Sequence, residues 1–211
     1  MYQAFIFDLD GTLVDSSRAI SAAMTAWCQR HDLDLERALQ VCQGTRTEDF
    51  VAEFAPHLHV EQEVKHIEAL ENEYLDFVEP LVGAEAFVHS LAGGQWGIAT
   101  SGPYDIAFPR LMKGNLPVPR VLVTAEMVSR GKPHPEPYLL ACEQLGVDAQ
   151  EVLVFEDSDA GIESALSAGC DVVAVGYAHS VSRDRLVANI TDYAGLSVQN
   201  TERLILNGLS E

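Results

Sequence analysis

Asp8 and Asp10 stand two residues apart just beyond the apolar run Ala4-Phe5-Ile6-Phe7, and Gly11-Thr12 follows them. Two carboxyl groups at the end of one strand can gather a hard cation beside a bound anion. Three further polar clusters occupy comparable places: Thr100-Ser101, Lys132 within Gly131-Lys132-Pro133, and Glu156-Asp157. The chain has only three lysines, Lys65, Lys113 and Lys132, so a lysine set beside glycine and proline is informative. Taken singly, each cluster also reads as an ordinary solvated turn, because Asp, Ser and Gly are common turn residues. Four of them brought to one edge would be a site for an anion. Crowding Asp8, Asp10, Glu156 and Asp157 around an anion needs a cation, since a like-charge pair at about 4 Å costs about 4 kcal/mol at an effective dielectric near 20. Hard oxygen donors suit Mg²⁺, with Asp8 and Asp157 as side-chain ligands, Asp10 helping through its main-chain carbonyl and Glu156 holding metal or water. Lys132 supplies a compact positive charge, and the Thr100 hydroxyl with nearby loop amides can donate hydrogen bonds to phosphate oxygens.

The elements that must position these residues follow from periodicity. Ala4 to Phe7 reads as a strand buried on both faces, with Gly11-Thr12 marking a sharp turn. Residues two apart on a strand share a face, so Asp8 and Asp10 are expected to address one cleft at the carboxyl end of a parallel sheet. After Asp15-Ser16, a helix start, the stripe Ile20, Ala23, Met24, Trp27, Cys28 is helical, as are Leu35, Ala38, Leu39, Cys42 and then Phe50, Val51, Phe54. Thr47 is read as the cap of that third helix, which Pro56 ends. A fourth stripe, Val60, Val64, Ile67, Leu70, Tyr74, Val78, runs on to the turn at 80–83. Residues 16–80 are therefore expected to be all-helical.

From there strand and helix alternate. A helix with Phe87, Val88 and Leu91 stops at Gly93-Gly94, and strands follow at 96–99, 120–123, 152–155 and 172–175. Helices are read around Leu139, Cys142, Leu145 and around Ile162, Ala165, Leu166, and Leu204, Leu206, Leu209 mark a last amphipathic piece. The pattern specifies an α/β chain with a Rossmann-like, doubly wound parallel sheet in residues 1–15 and 81–211, and a helical cap inserted over 16–80.

Composition narrows the function. With 211 residues, 47% of them hydrophobic and 21% charged, the chain can bury a sizeable core. A net charge of −19 argues strongly against a nucleic-acid backbone as partner. The absence of a long apolar run argues against a membrane partner, and the lack of a secretion signal gives a cytoplasmic expectation. Cys28, Cys42, Cys142 and Cys170 have no short-interval pairing and are read as reduced core residues. His57, His59 and nearby His66 lack the closed spacing of a zinc site.

Four stretches together carry a family likeness. Phe7-Asp8-Leu9-Asp10-Gly11-Thr12-Leu13-Val14-Asp15 resembles the first motif of the haloacid dehalogenase superfamily. Ile98-Ala99-Thr100-Ser101 resembles the second, Gly131-Lys132-Pro133-His134-Pro135 the third, and Phe155 through Ile162 the fourth. The helical insert between the first two is similar to the small cap of the subgroup containing phosphoglycolate phosphatase, β-phosphoglucomutase and bacterial sugar phosphatases. The resemblance implies a Mg²⁺-dependent phosphomonoesterase acting on a small phosphorylated metabolite, a sugar or sugar-alcohol phosphate, as a monomer or weak dimer. It assigns Asp8 as nucleophile and Asp10 as acid and base. It further gives Thr100, Ser101 and Lys132 to the phosphate, Asp8, Asp10, Glu156 and Asp157 to the metal, and Arg46 of Gly44-Thr45-Arg46-Thr47 to the substrate. A mutase would use the same two aspartates but rely on a cap lysine, and the cap holds only Lys65. The same motifs would also serve a phosphoglycolate phosphatase, or a non-catalytic phosphate sensor that kept the site for binding.

Overall fold

The computed structural model describes residues 1–91, 94–176, 184–200 and 203–209. In chain order the elements are β1 (Ala4–Phe7), β2 (Val14–Asp15), α1 (Ser17–His31), α2 (Leu35–Val41), α3 (Thr47–Phe54), α4 (Val60–Glu73) and β3 (Glu79–Pro80). There follow α5 (Ala84–His89), β4 (Trp96–Ala99), α6 (Tyr104–Lys113), β5 (Val121–Val123), α7 (Glu136–Leu145), β6 (Val152–Glu156) and α8 (Asp159–Ala168). The last strands are β7 (Asp171–Val175), β8 (Leu186–Ile190), β9 (Ser197–Asn200) and β10 (Leu204–Asn207).

Six strands form one sheet in the order β5-β4-β1-β6-β7-β8, every neighbouring pair parallel. Strand alternation sends Phe5, Phe7, Leu153, Phe155, Val173 and Val175 into one core cluster. Ala4, Ile6, Val152, Val154, Val172 and Ala174 enter the cluster on the other face. The near-continuous apolar runs follow from this two-sided burial. Phe7 and Phe155 are register partners, stacked with centroids 4.7 Å apart. After β1 the chain builds outward on one side through β4 and β5, then returns past β1 to β6. The crevice beyond the carboxyl end of β1 is therefore a topological switch point, where ligands bind in open α/β sheets.

Helices α1 to α4 surround a separate apolar cluster of Met24, Trp27, Cys28, Ala38, Phe50, Val51, Ala55 and Ile67. The two chain segments joining them to the rest run side by side, β2 pairing antiparallel with β3. The expectation of unbroken helix to residue 80 is thus corrected: α4 ends at Glu73, and a short 3₁₀ turn precedes β3. Arg46 occupies the N-cap position of α3 and Thr47 is the first helical residue, so Thr47 is not the cap. At α1 the Asp15 carboxylate accepts the Ser17 amide at 3.0 Å, while the Ser16 side chain makes no capping bond.

Three further differences have local causes. Helix α6 escapes the periodic pattern because Pro109 interrupts it. Proline has no N–H for the carbonyl four residues earlier, and the side-chain amide of Asn72 on α4 donates to that Asp105 oxygen at 3.4 Å. Leu139 is 45% exposed, its neighbours Tyr138, Ala141 and Cys142 forming the buried stripe of α7. The tail adds a sixth parallel strand, β8, and a β9–β10 hairpin that buries Leu204. Gly93 of the expected helix stop lies outside the described residues. The four cysteines are free thiols, three of them buried, and among the described residues no helix is long and apolar enough to cross a membrane.

Trp27 is fully buried at the centre of the helical cluster, its indole N–H donating to Glu63 at 2.8 Å. Trp27→Ala is expected to lower stability by about 3–5 kcal/mol through the cavity it leaves, measurable by urea denaturation. An unchanged midpoint would show that the cluster does not hold the block together.

Candidate active site

β1 ends at Phe7, and the chain turns at once: the Leu13 and Val14 amides both donate to the Leu9 carbonyl, at 2.9 and 3.0 Å. Gly11 takes φ +80°, and a Cβ there would lie 2.1 Å from Asp157 Oδ2, so only glycine lets this loop meet the end of β6. Asp8 and Asp10 both line a cavity of about 1000 Å³ between the sheet edge and helices α1 to α4. Thr100, Ser101, Asp157 and Arg110 line it too, with Ile20, Met24 and Phe50 contributing apolar wall.

Lys132 is buried beneath this cavity, its ammonium 2.6 Å from Asp8 Oδ1 and 2.6 Å from Glu156 Oε1. Glu156 is saturated. Its Oε1 also accepts from the Tyr138 hydroxyl at 2.8 Å, and its Oε2 accepts the amides of Asp157 and Ser158, both at 3.0 Å, and the Ser158 hydroxyl at 3.1 Å. A Cβ on Gly161 would fall 1.7 Å from Glu156 Oε1, so α8 presses its backbone onto this carboxylate. Ser158 caps α8 by accepting the Gly161 amide at 3.0 Å.

Burial pushes the Asp8 carboxyl up to about 7, with Lys132 pulling against it and Glu156 and Asp10 adding to it. Asp157 is raised for the same first reason, then by Glu156 and Asp8. Burial works against the Lys132 ammonium, but Asp8 and Glu156 outweigh it and hold the group above its ordinary value. One oxygen from each of Asp8, Glu156 and Asp157 lies within 4.8 Å of the others. An all-carboxylate donor set, with the Asp8 and Asp157 charges opposed by their surroundings, fits a hard divalent cation.

The sequence-predicted residues are not all brought to the same point. Thr100 is buried at the cavity, its Oγ1 accepting the Gly102 amide at 3.0 Å. The Ser101 hydroxyl instead donates to the Gly44 carbonyl at 2.8 Å, tying the core to the helical block. Arg46, expected to reach the substrate, is not among the cavity-lining residues. Its guanidinium is held by Asp49 at 2.7 and 2.9 Å and donates to the Val128 and Ser129 carbonyls at 3.0 and 3.3 Å. Lys65 pairs with Glu61 at 2.8 Å on the exposed side of α4. His66 joins His31 and Glu63 rather than His57 and His59, and Glu63 already accepts from Trp27.

Sequence reasoning missed three residues. Arg110 on α6 puts one guanidinium nitrogen 2.6 Å from Asp10 Oδ1 and another 3.1 Å from Glu71 on α4. Its signal was the stripe Ile106, Ala107, Arg110, Leu111, obscured by Pro109. Glu71 was hidden among the acids of α4, and burial, opposed by Arg110, pushes its carboxyl up to about 7. Tyr138 carried no local signal, since only the packing of α7 against the sheet sets its hydroxyl on Glu156.

Comparison with known proteins bears on this geometry. A sequence model of the family described as haloacid dehalogenase-like hydrolase matches residues 5–175. Hexitol phosphatase A of Escherichia coli strain K12 is 42% identical over 188 residues, covering 82% of this chain and 82% of that protein. Glycerol-1-phosphate phosphohydrolase 2 of Saccharomyces cerevisiae is 35% identical over 184 residues, covering 82% of this chain and 74% of that one. Among solved structures, a hydrolase from Pseudomonas syringae shares the fold with a TM-score of 0.79 at 25% identity, over 91% of this chain and 94% of that chain.

The raised carboxyls carry a pH signature. Above the ordinary carboxylate range near 4, the unfolded chain releases protons that the fold retains on Asp8, Glu71 and Asp157, so stability falls as pH rises. In EDTA the melting temperature is expected to drop from about pH 4 to about pH 7 and beyond. A divalent metal salt is expected to restore part of the loss, and Asp157→Asn to flatten the EDTA profile. A profile identical in all three samples would contradict this account of the cluster.

Proposed function

This chain belongs to the haloacid dehalogenase-like hydrolase family and is a phosphatase, and from that premise we propose that it hydrolyses the phosphomonoester of a small sugar or sugar alcohol through an aspartyl-phosphate on Asp8. The observation that carries the reading is the convergence of Asp8 and Asp10 on one cavity, with the Lys132 ammonium 2.6 Å from Asp8. The substrate class is drawn from relatives named for hexitol and glycerol phosphates.

In the first half-reaction an Asp8 carboxylate oxygen attacks phosphorus in line with the ester oxygen. A bond from phosphorus to Asp8 forms as the bond to the ester oxygen breaks, and Asp10 delivers a proton to the departing alkoxide. Asp10, now a carboxylate, takes a proton from water as that water attacks phosphorus. The bond to Asp8 then breaks, releasing inorganic phosphate and restoring both aspartates. Lys132 fixes Asp8 and balances charge, and Glu156, with both oxygens engaged, orients Lys132 and the loop carrying Asp157. Thr100 and the surrounding amides donate to phosphate oxygens. Asp8 and Asp157 side chains with the Asp10 carbonyl would hold Mg²⁺, which when bound neutralises charge on the transferring group.

Residues 16–80 act as a cap over a core of 1–15 and 81–211, the β2–β3 pair carrying both connections. Ser101 to Gly44 and Arg46 to the 128–129 loop fasten the cap to the core. A mutase reading lacks its cap cation here, because Lys65 is paired on an exposed face away from the cavity.

Asp8→Asn is expected to abolish phosphate release from p-nitrophenyl phosphate and from a panel of hexitol, glycerol and sugar phosphates. Asp10→Asn is expected to lower kcat by about 10² to 10⁴-fold. Turnover by pure Asp8→Asn protein would remove Asp8 as the nucleophile. EDTA is expected to silence the wild type and Mg²⁺ to restore it; full activity in EDTA would exclude the metal.

A further inference from the structure

Arg110 is a buried cation whose two carboxylate partners both face the cavity. It is 3% exposed, it comes from α6 of the core, and its guanidinium spans Asp10 of the core loop and Glu71 of α4. Placing these charges out of water is costly, and a purely structural tie between the two helices would be served as well by apolar packing. Their position on a cavity wall gives them another use. Asp10 is where the leaving oxygen must lie, because it exchanges a proton with that oxygen. The Arg110 guanidinium, one nitrogen 2.6 Å from Asp10 and another 3.1 Å from Glu71, therefore lines the cavity next to the place of that oxygen, where the carbon chain attached to it must run. Met24 and Phe50 contribute apolar surface to the same cavity.

A hydroxyl is both donor and acceptor. Beside this pair it can accept from an Arg110 N–H and donate to a Glu71 oxygen, which neither an alkyl chain nor a second phosphate does. A second phosphate would meet the Glu71 charge, and an alkyl chain would leave both groups desolvated without a partner. Resting on the phosphatase reading above, we infer that the Arg110–Glu71 pair is the hydroxyl-reading element of the substrate site, selecting neutral polyol groups on the leaving alcohol. Glu71 binds the substrate directly, and Arg110 both binds it and positions Asp10.

The test deletes the hydroxyls from the substrate and the carboxylate from the enzyme. Phosphate release is measured for glycerol 1-phosphate against propyl phosphate, and for a hexitol phosphate against hexyl phosphate, in wild type, Glu71→Leu and Glu71→Gln, with melting curves to confirm folding. Wild type is expected to prefer the polyol esters by at least about tenfold in kcat/KM, since a site built for hydroxyls rejects analogues lacking them. Glu71→Leu is expected to bring the ratio close to one, with Glu71→Gln between. Arg110→Lys is expected to lower kcat on every ester and shift the kcat–pH profile, which a merely structural tie would not do. If wild type shows no polyol preference, or if either Glu71 variant keeps the wild-type ratio, the inference is overturned while the phosphatase reading stands. If wild type releases phosphate from no ester at all, the phosphatase reading itself fails and the inference falls with it. Should Glu71→Leu not fold, the ratio in Glu71→Gln decides alone, a wild-type ratio again overturning the inference.

Discussion

A single buried ammonium organises the catalytic edge of this molecule. Lys132 sits 2.6 Å from both Asp8 and Glu156, at the ends of adjacent strands β1 and β6. An isolated charge in such a place would cost several kcal/mol, and the arrangement survives because every member has partners. Glu156 takes five hydrogen bonds from Lys132, Tyr138, Asp157 and Ser158. That saturation fixes the loop leading into α8, while burial still opposes the charges of Asp8 and Asp157. Asp8, Glu156 and Asp157 bring one oxygen each within 4.8 Å of the others, a group that could hold a metal ion.

The backbone around the cluster is as constrained as the charges. Gly11 and Gly161 are positions where a single added carbon would collide with Asp157 or Glu156. The apolar runs of β1, β6 and β7 fill two separate cores, one on each face of the sheet, and so anchor the strand ends that carry the site's side chains. The helical block has its own apolar cluster and meets the core both through polar contacts, Ser101 to Gly44, Arg46 to Val128 and Ser129, Asn72 to Asp105, and Arg110 to Glu71, and through Ala19, Tyr74, Leu75 and Val78, which join the apolar cluster of the core.

Much of this was legible in the sequence. Strand β1 was a run of four apolar residues, and its boundaries follow directly from Gly11-Thr12. The four polar clusters were visible because Asp, Lys and Gly beside strand ends are chemically conspicuous against so few lysines. Helix α6 was not legible, since Pro109 breaks the pattern locally while Asn72, 33 residues earlier in sequence, offers the stranded Asp105 carbonyl a partner. Arg46 looked like a substrate contact because Gly44-Thr45-Arg46-Thr47 resembles the cap loop that faces the site in the family. Packing against Gly131 and pairing with Asp49 aim it elsewhere.

By itself, then, the sequence determined which residue types were available for chemistry and that parallel strands would bring Asp8, Asp10, Thr100, Lys132, Glu156 and Asp157 to one edge. Periodicity and motif spacing are local properties, and strand ends on one side of a parallel sheet must converge. Only the tertiary structure decided which polar groups face each other across the seam. Arg110 and Glu71 come from α6 of the core and α4 of the helical block, 39 residues apart, and nothing in either neighbourhood encodes the other. Their pairing depends on how the helical block is seated on the core, a long-range packing outcome that no local pattern records.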